Sequence, residues 1–391
     1  METDRPKLIY LNNSATSFPK APGVAQAVKT ALESEPPGHG RGPEQQAKGR
    51  ITPDMLRHRL ARFLNAASPK DIALTFNATD GLNLAIRGLM EPGDHAICTA
   101  LDHNSVLRPL AHLRREHDIN YTVAHASPNG EIDIGDIEKL IGPRTKLIIV
   151  NHISNVSGFV TDIYLIAELA NRHGVILLVD AAQSGGHLPL NVSRLGRAML
   201  AITGHKGLLG PAGTGALWVH PDIKLKPFRA GGTGAYSEAE FQPDERPFIF
   251  EAGTPNLHGL AGLHASLGYI MERGVEDIHT HELDLCKMAF AGLNEIGGIN
   301  IYRADFKEPR GAVLGFNIDN IPPAEAAMAL YTEFGIVVRQ GLHCAPYAHK
   351  AMGTFPEGTI RVSTGAFNTE NDINRLLEAV KALGRGTAPR E

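Results

Sequence analysis

Two charged side chains stand directly after apolar segments, at positions where α/β enzymes bind their ligands. Lys206 follows the apolar run 198–203, with Gly204 and Gly207 on either side, and Asp180 ends the apolar run 174–179. In open α/β sheets, ligands bind at the carboxyl ends of the strands. Taken singly, the lysine would be a solvated turn residue and the aspartate a helix cap. Together they meet two needs of pyridoxal 5'-phosphate, which requires a lysine for covalent attachment and an acid that keeps its ring nitrogen protonated.

Two further loops have residues that could help to hold such a cofactor. Thr79 and Asp80 lie in the segment 77–81, between an apolar run and a helical pattern. Backbone N–H groups at a helix N-terminus can bind phosphate there. His103 follows another apolar run, and a histidine in this position can stack on a planar ring and relay protons. Taken alone, the first loop is an ordinary helix cap and the second an ordinary polar turn.

One of the three cysteines has a setting that suits chemistry. Cys344 lies in a loop flanked by glycine and proline, with Arg339 and His343 close in sequence. Neighbouring cations stabilise a thiolate, and the thiolate is the nucleophilic form of cysteine. Cys98 lies inside an apolar run and Cys286 in a helical stretch, so both are expected to be small buried hydrophobes.

Buried strands and covering helices must position these residues. Six short runs rich in Ile, Val, Leu and Ala show little alternation, which is typical of strands buried on both faces of a mostly parallel sheet. These runs cover 72–76, 95–100, 146–150, 174–179, 198–203 and 214–219. Between them, apolar residues recur at helical spacing over 82–90 and 105–117. The alternation predicts an α/β fold, with a mostly parallel mixed sheet and helices on both faces.

The last third of the chain predicts a smaller α/β unit. Its helical patterns cover 257–273, 323–333 and 372–383, and its apolar runs cover 315–318 and 359–363. Two segments rich in glycine and proline, 36–43 and 229–247, are predicted loops. We therefore expect a large cofactor-binding domain over 20–260 and a small domain made of 1–19 and 261–391.

The composition argues against several classes of protein. The chain has 391 residues, 43% hydrophobic and 20% charged, with a formal net charge of −4. The near-neutral charge argues against nucleic-acid binding and against docking on an acidic membrane. Three unevenly spaced cysteines, no membrane-length apolar run and no signal-peptide pattern together predict a cytoplasmic enzyme. His343, Cys344 and His349 lack a second pair of metal ligands, so no metal site is expected.

In their joint order and spacing, these segments resemble the class V, fold-type-I enzymes that depend on pyridoxal phosphate. Within that class they resemble the cysteine desulfurases and selenocysteine lyases, and the resemblance covers nearly the whole chain. It rests on the segments 10–16, 77–81, 152–158, 179–183, 203–207, 250–256 and 339–345. Each segment is a weak signal alone. The loop with Arg339, Gly341 and Cys344 indicates the desulfurase branch.

The resemblance implies a role for each candidate residue. Lys206 would carry the cofactor, and Cys344 would attack the γ-sulfur of L-cysteine, leaving L-alanine and a persulfide that passes to a protein acceptor. The implied catalytic residues are Lys206, Cys344 and His103. The implied cofactor contacts are Asp180 at the ring nitrogen, Gln183 at the phenolic oxygen, His103 over the ring, Lys206, Asp80, and Thr79, Thr203 and His205 at the phosphate. Thr254 would reach the phosphate of a neighbouring subunit, which implies a homodimer with shared active sites. The implied substrate contacts are Asn155, Arg339 and Arg361, the last as a clamp on the α-carboxylate.

Some positions depart from the pattern of that group. Asn12 stands where aspartate is usual, Ser14 where alanine is common, and Glu44 where a histidine often lies near the substrate. Gln340 and Leu342 differ from the commonest desulfurase loop. These departures affect the predicted substrate more than the predicted cofactor.

Two other interpretations stay open from the sequence, and a third is disfavoured. One is a selenocysteine lyase, or another C–S lyase, on the same scaffold. Another is a class V aminotransferase or epimerase that acts on a different amino compound, in which Cys344 would be incidental. A regulatory protein without activity conflicts with the joint presence of Lys206, Asp180 and Gln183.

Overall fold

The computed structural model of the protein describes residues 8–34, 51–302, 306 and 309–386. The strands are β1 (Ile9–Tyr10), β2 (Ile72–Thr75), β3 (His95–Thr99), β4 (Asn120–Ala124), β5 (Thr145–Asn151), β6 (Ile176–Asp180), β7 (Ala198–Thr203), β8 (Gly215–Val219), β9 (Ile299–Tyr302), β10 (Val313–Ile318), β11 (Ile336–Val337), β12 (Arg339–Gly341) and β13 (Thr359–Ser363). The helices are α1 (Val24–Glu33), α2 (Pro53–Leu64), α3 (Ala78–Leu89), α4 (Asn104–His117), α5 (Ile134–Lys139), α6 (Ile163–Arg172), α7 (Leu257–Arg273), α8 (Val275–Asn294), α9 (Pro323–Phe334), α10 (Pro346–Ala351) and α11 (Glu370–Gly386).

A seven-stranded sheet carries most of the predicted strands. Its order is β2-β8-β7-β6-β5-β3-β4. Strands β7, β6, β5, β3 and β4 run parallel to one another, whereas β8 runs antiparallel to both β7 and β2. Strands β2, β6, β7 and β8 are buried along their whole length, which explains why their sequences do not alternate. The predicted mixed, mostly parallel sheet is confirmed.

All six predicted strand segments form strands of this sheet, and one further strand was not predicted. Strand β4 lies at the edge of the sheet, and only its last residue, Ala124, is buried. It therefore has no continuous apolar run. The helix predicted over 82–90 begins earlier, at Ala78, because the Asn77 side chain accepts the N–H of Asp80 and caps α3.

A second, four-stranded sheet forms in the last third of the chain. Its order is β12-β13-β10-β9, and all its neighbours are antiparallel. Helix α7 and strand β13 have the predicted bounds. Three other elements extend slightly beyond the predicted ranges: β10 was predicted over 315–318, α9 over 323–333 and α11 over 372–383. The full extent of α8 was not predicted, because a buried glutamate, Glu282, interrupts its apolar face.

The beginning of the chain joins this second sheet region. Strand β1 pairs in parallel with β11, and Asn12 bridges to Ser363 in β13. This pairing supports the proposed small domain built from both ends of the chain. The boundaries at residues 19 and 260 stay a prediction.

The predicted loop 229–247 contains no helix or strand, as expected. The other predicted loop, 36–43, and the substituted position Glu44 lie outside the described residues. Among the helices of the described ranges, none is both long enough and apolar enough to span a bilayer.

Candidate active site

A cavity of about 310 Å³ lies at the carboxyl edge of the seven-stranded sheet. Strands β2, β3, β5, β6 and β7 all end there, so residues far apart in sequence meet. The predicted site residues that line the cavity are Thr79, His103, Asn155, Asp180, Gln183, Thr203, His205, Lys206 and Arg339. A larger cavity of about 480 Å³, near Lys146 and Lys226, is lined by none of the predicted residues.

Lys206 stands in a tight turn after β7. A Cβ atom on Gly204 would lie 2.0 Å from Thr214 Oγ1, and one on Gly207 would lie 2.4 Å from the His187 ring, so this turn needs both glycines. Burial lowers the pKa of Lys206 from 10.5 to about 8, although the carboxylate of Asp180 opposes that shift. A larger share of the amine is therefore neutral near physiological pH, as covalent attachment to an aldehyde requires.

Asp180 ends β6 and faces the same cavity. Its Oδ1 accepts the N–H of Ala182 at 2.9 Å, so it stabilises a turn and does not cap a helix. The residue is 6% exposed, and burial raises the pKa of its carboxyl group while Lys206 lowers it. A protonated ring nitrogen placed against this carboxylate would compensate the burial of its charge.

Several other polar groups fit pyridoxal phosphate. The hydroxyl of Thr203 is buried and makes no hydrogen bond within the described part of the chain, so it is available to a phosphate oxygen. Gln183 donates one amide hydrogen to the carbonyl of Ser14 at 2.9 Å, which fixes its side chain beside the cavity. Burial lowers the pKa of His205 to about 4, so its ring is neutral and can donate or accept. The donor set therefore suits the predicted cofactor.

Thr79 lines the cavity, whereas its neighbour Asp80 does not. The Thr79 hydroxyl lies 2.7 Å from Ser105 Oγ at the cavity. The Asp80 carboxylate instead accepts the Phe76 N–H and pairs with Arg229 at 3.1 Å, and the residue does not line the cavity. Asp80 therefore supports the segment 77–81 from outside the cavity, and its predicted contact with the cofactor stays a prediction.

Cys344 lies on a loop that hydrogen bonds hold against the cavity wall. Asn104 N–H donates to the Cys344 carbonyl at 2.8 Å, and Asn155 Nδ2 donates to the His343 carbonyl at 2.7 Å. Both His343 and Cys344 have positive φ angles, 49° and 60°, which are unfavourable for residues with side chains. The loop is therefore anchored at both residues.

The charge beside the Cys344 sulfur comes from Arg339. Its Nη2 donates to Sγ at 3.4 Å and so stabilises a thiolate. His343 was expected to contribute charge as well, and this expectation is wrong. Its side chain is buried, burial lowers its pKa to about 2, and its Nδ1 lies 3.2 Å from His349 Nε2. His343 therefore supports the loop as a neutral residue.

Arg361 lies behind the cavity wall, on β13. It donates to the Asn155 carbonyl at 3.0 Å and to Asn12 Oδ1 at 3.1 Å. It is 1% exposed, and burial together with the charge of Arg339 lowers its pKa to about 9. Its Nε has no partner within the described chain. The unusual Asn12 thus lies against the predicted carboxylate clamp and provides no negative charge to it.

The remaining predicted positions lie away from the cavity. Thr254 is exposed on the surface, where a residue that contacts a second subunit would have to lie. Cys98 and Cys286 are fully buried, as expected, and burial raises the pKa of both thiols. In the described parts of the chain, no three His, Cys, Asp or Glu residues are arranged to hold a metal ion.

Two residues of the site region were missed from sequence. Ser105 lines the cavity between Thr79 and His103. Lys20 donates to the His205 carbonyl at 3.0 Å and so fastens the N-terminal segment to the turn that carries Lys206. Ser105 could have been noticed as a hydroxyl in the first turn after His103. No local signal marks Lys20, because its partner lies 185 positions away.

The comparison with known families agrees with this geometry. The family described as Aminotransferase class-V matches residues 9–376. The chain belongs to the class V aminotransferase family. The predicted family, the fold type and the assignment as a pyridoxal phosphate-dependent enzyme are therefore confirmed.

Several relatives are named as cysteine desulfurases, which is the branch predicted from the sequence. A probable cysteine desulfurase of Methanothermobacter thermautotrophicus is 36% identical over 333 residues, covering 84% of this chain and 82% of the relative. One of Halalkalibacterium halodurans is 32% identical and covers 97% and 94% of the two chains. The apo structure of a cysteine desulfurase from Thermococcus onnurineus NA1 superposes with a TM-score of 0.87 at 30% identity, covering 97% of this chain and 95% of that one.

Proposed function

We propose that this protein is a cysteine desulfurase that converts L-cysteine to L-alanine and keeps the sulfur as a persulfide on Cys344. The observation that carries the proposal is the position of the Cys344 thiol. It stands on an anchored loop, and its sulfur accepts a hydrogen bond from Arg339, which lines the cavity that also contains Lys206. Cys344 itself is not among the residues that line the cavity, so the proposal needs the thiol to reach the substrate from the Arg339 side.

Each lining residue has a role in this proposal. Bound pyridoxal phosphate supplies an electron sink that withdraws electrons from the substrate Cα. Lys206 would attach it, Asp180 would pair with its ring nitrogen, and Gln183 would contact its phenolic oxygen. His103 would stack over its ring. Thr203, His205 and the backbone N–H of Thr79 would bind its phosphate. The Lys206 amine, when it is not attached to the cofactor, would take the Cα proton of the substrate.

The substrate is held from the other side of the cavity. Asn155 lines the cavity and would bind the α-carboxylate. Arg361 lies behind the cavity wall and would join it through its unpaired Nε. Arg339 would orient and stabilise the Cys344 thiolate. That thiolate attacks the γ-sulfur of L-cysteine, forms an S–S bond and breaks the Cβ–S bond. The electron pair of the broken bond stays with the substrate, which takes up protons and leaves as L-alanine. A persulfide remains on Cys344.

Replacing Cys344 tests this function. In Cys344→Ala, sulfide release from L-cysteine should fall to background while the lysine-attached cofactor keeps its visible absorbance. Cys286→Ala, which removes a buried thiol elsewhere, should form a protein persulfide at the wild-type level. Wild-type sulfide release by Cys344→Ala would contradict the proposal.

We further propose that the protein acts as a homodimer whose subunits meet at the loop 229–247. Phe241 is 81% exposed there and Tyr236 is 43% exposed, and exposed aromatic patches mark interfaces. Gly253 N–H donates to the Gly232 carbonyl at 2.8 Å, so exposed Thr254 belongs to the same surface. Phe241→Asp should shift the mass measured by light scattering from dimer to monomer, and an unchanged mass would contradict this arrangement.

We also propose that the persulfide sulfur passes to an acceptor protein and that this protein acts in the cytoplasm. All three cysteines are free, and the two buried ones have no disulfide partner. A reducing compartment keeps such thiols in this form.

A further inference from the structure

His103 caps the N-terminus of α4 with its own ring, and this contact defines which ring nitrogen carries the proton. The backbone N–H of Ser105 donates to His103 Nδ1 at 3.0 Å. A backbone N–H can only donate, so Nδ1 must accept. In a neutral imidazole, the single ring proton then lies on Nε2.

The surroundings of the ring keep it neutral. Burial lowers the pKa of His103 to about 4. The charged groups that act on the ring have the same effect, because all of them are cations: Lys206, Arg339, Arg108 and Arg361. At neutral pH, the ring therefore carries one proton.

The Ser105 hydroxyl adds a second donor to the same nitrogen. Its Oγ lies 2.8 Å from His103 Nδ1 and 2.7 Å from Thr79 Oγ1. Because Nδ1 accepts, the Ser105 hydroxyl must donate to it, which leaves Ser105 Oγ free to accept the proton of Thr79. The hydrogen bonds run in one direction, from Thr79 through Ser105 to His103.

The other ring nitrogen, Nε2, takes no part in this chain of hydrogen bonds. His103 lines the cavity, and its Nε2 makes no hydrogen bond to any residue in the described ranges. We propose that Ser105 is a positioning residue that holds His103 as the Nε2–H tautomer, so that His103 presents a hydrogen-bond donor to the cavity. Its importance for turnover rests on the proposed function, whereas the tautomer itself does not.

The tautomer can be read directly in the cofactor-loaded protein. With ¹⁵N-labelled histidine, NMR distinguishes a protonated ring nitrogen from one that accepts. His103→Asn identifies the signals that belong to His103 among those of 18 histidines. We expect a neutral ring at pH 7 with its proton on Nε2. A proton on Nδ1, or a doubly protonated ring, would overturn the proposal.

Variants at Ser105 test the positioning role. Ser105→Ala removes the shorter of the two hydrogen bonds to Nδ1 and leaves only the backbone N–H donor, so the preference for the Nε2–H tautomer should weaken enough to bring the second tautomer into detectable exchange. The loss of one hydrogen bond should lower kcat by about tenfold. KM for L-cysteine should change little, because Ser105 does not contact the substrate. Ser105→Thr should restore both the tautomer and kcat, and Ser105→Val, which matches threonine in shape, should behave like alanine.

The possible failures are distinguishable. If Ser105→Ala and Ser105→Val fold with wild-type melting temperatures and keep both the tautomer and kcat, the positioning role is wrong. If the wild-type ring shows the Nε2–H tautomer and only the Ser105 variants lose it, the tautomer inference holds even where the protein proves inactive on L-cysteine. That inactivity would count against the proposed function alone.

Discussion

Burial sets the protonation state of the side chains around the cavity. It lowers the pKa of the lysine, of His103 and of His205, and it raises the pKa of the Asp180 carboxyl group. The first three shifts keep groups neutral that would otherwise carry more positive charge. The cavity is thus suited to an anionic, phosphate-bearing cofactor through directed hydrogen-bond donors, with little positive charge from its histidines.

The pH dependence of cofactor attachment should report the shift at Lys206. Attachment needs the neutral amine, so its rate should rise with pH and level off above about 8, the lowered pKa. An unperturbed lysine would give a rate that continues to rise to about pH 10.4. Borohydride trapping followed by mass spectrometry measures the attached fraction over time, and Lys206→Arg provides the blank. A rate that still climbs tenfold above pH 9 would contradict the lowered pKa.

At the scale of elements, strand ends explain why so much of the site could be predicted. Lys206, Asp180 and His103 each follow an apolar run, and such runs are visible in the sequence because both faces of the sheet are buried. The edge strand β4 and the anchoring of the Cys344 loop were not visible. The latter depends on Asn104 and Asn155, whose contacts arise only when two distant segments meet.

The Cys344 loop should loosen when its internal support is removed. His349 Nδ1 lies 2.7 Å from Thr354 Oγ1, and both residues are buried. Thr354→Val keeps the shape but leaves the His349 nitrogen without a partner, which should lower the free energy of unfolding by about 1–3 kcal/mol. Urea unfolding measures this change, and alkylation of Cys344 by iodoacetamide should become faster.

A matched control exists on helix α9. Thr332 is exposed, and its hydroxyl donates only to the carbonyl of Met328. Thr332→Val should change the free energy of unfolding by less than about 0.5 kcal/mol. If Thr354→Val and Thr332→Val lowered the free energy of unfolding equally, the buried contact of Thr354 would contribute no more to stability than the exposed one.

At the scale of the whole molecule, a buried ion pair joins the two sheet regions behind the lysine turn. His187, after β6, lies 2.6 Å from Glu282 on α8. Burial alone would lower the pKa of His187, but the charge and hydrogen bond of Glu282 outweigh it, so the pKa is raised. The pair therefore stabilises the folded protein most while His187 is protonated.

Glu282→Gln should reveal this contribution through pH. The stabilisation is fully present below the unfolded pKa of histidine, about 6.5, and is lost as pH rises through the raised folded value. At pH 6 the variant should be less stable than wild type by about 3 kcal/mol, and the difference should shrink at alkaline pH. Urea unfolding at several pH values measures it. Glu276→Gln, an exposed position on the same helix, should show no such trend.

The pairing of the two chain ends has a consequence for biosynthesis. Asn13 bonds to Asn368, a separation of 355 positions, and the same N-terminal segment supplies Ser14 to the cavity. At a synthesis rate of about 5–20 residues per second, the second partner follows the first by about 20–70 s. During that interval the ribosome-bound chain has an incomplete pocket with one wall missing. We therefore expect cofactor loading to be a late event of maturation, and a chain that stops before residue 361 lacks the arginine proposed to bind the α-carboxylate.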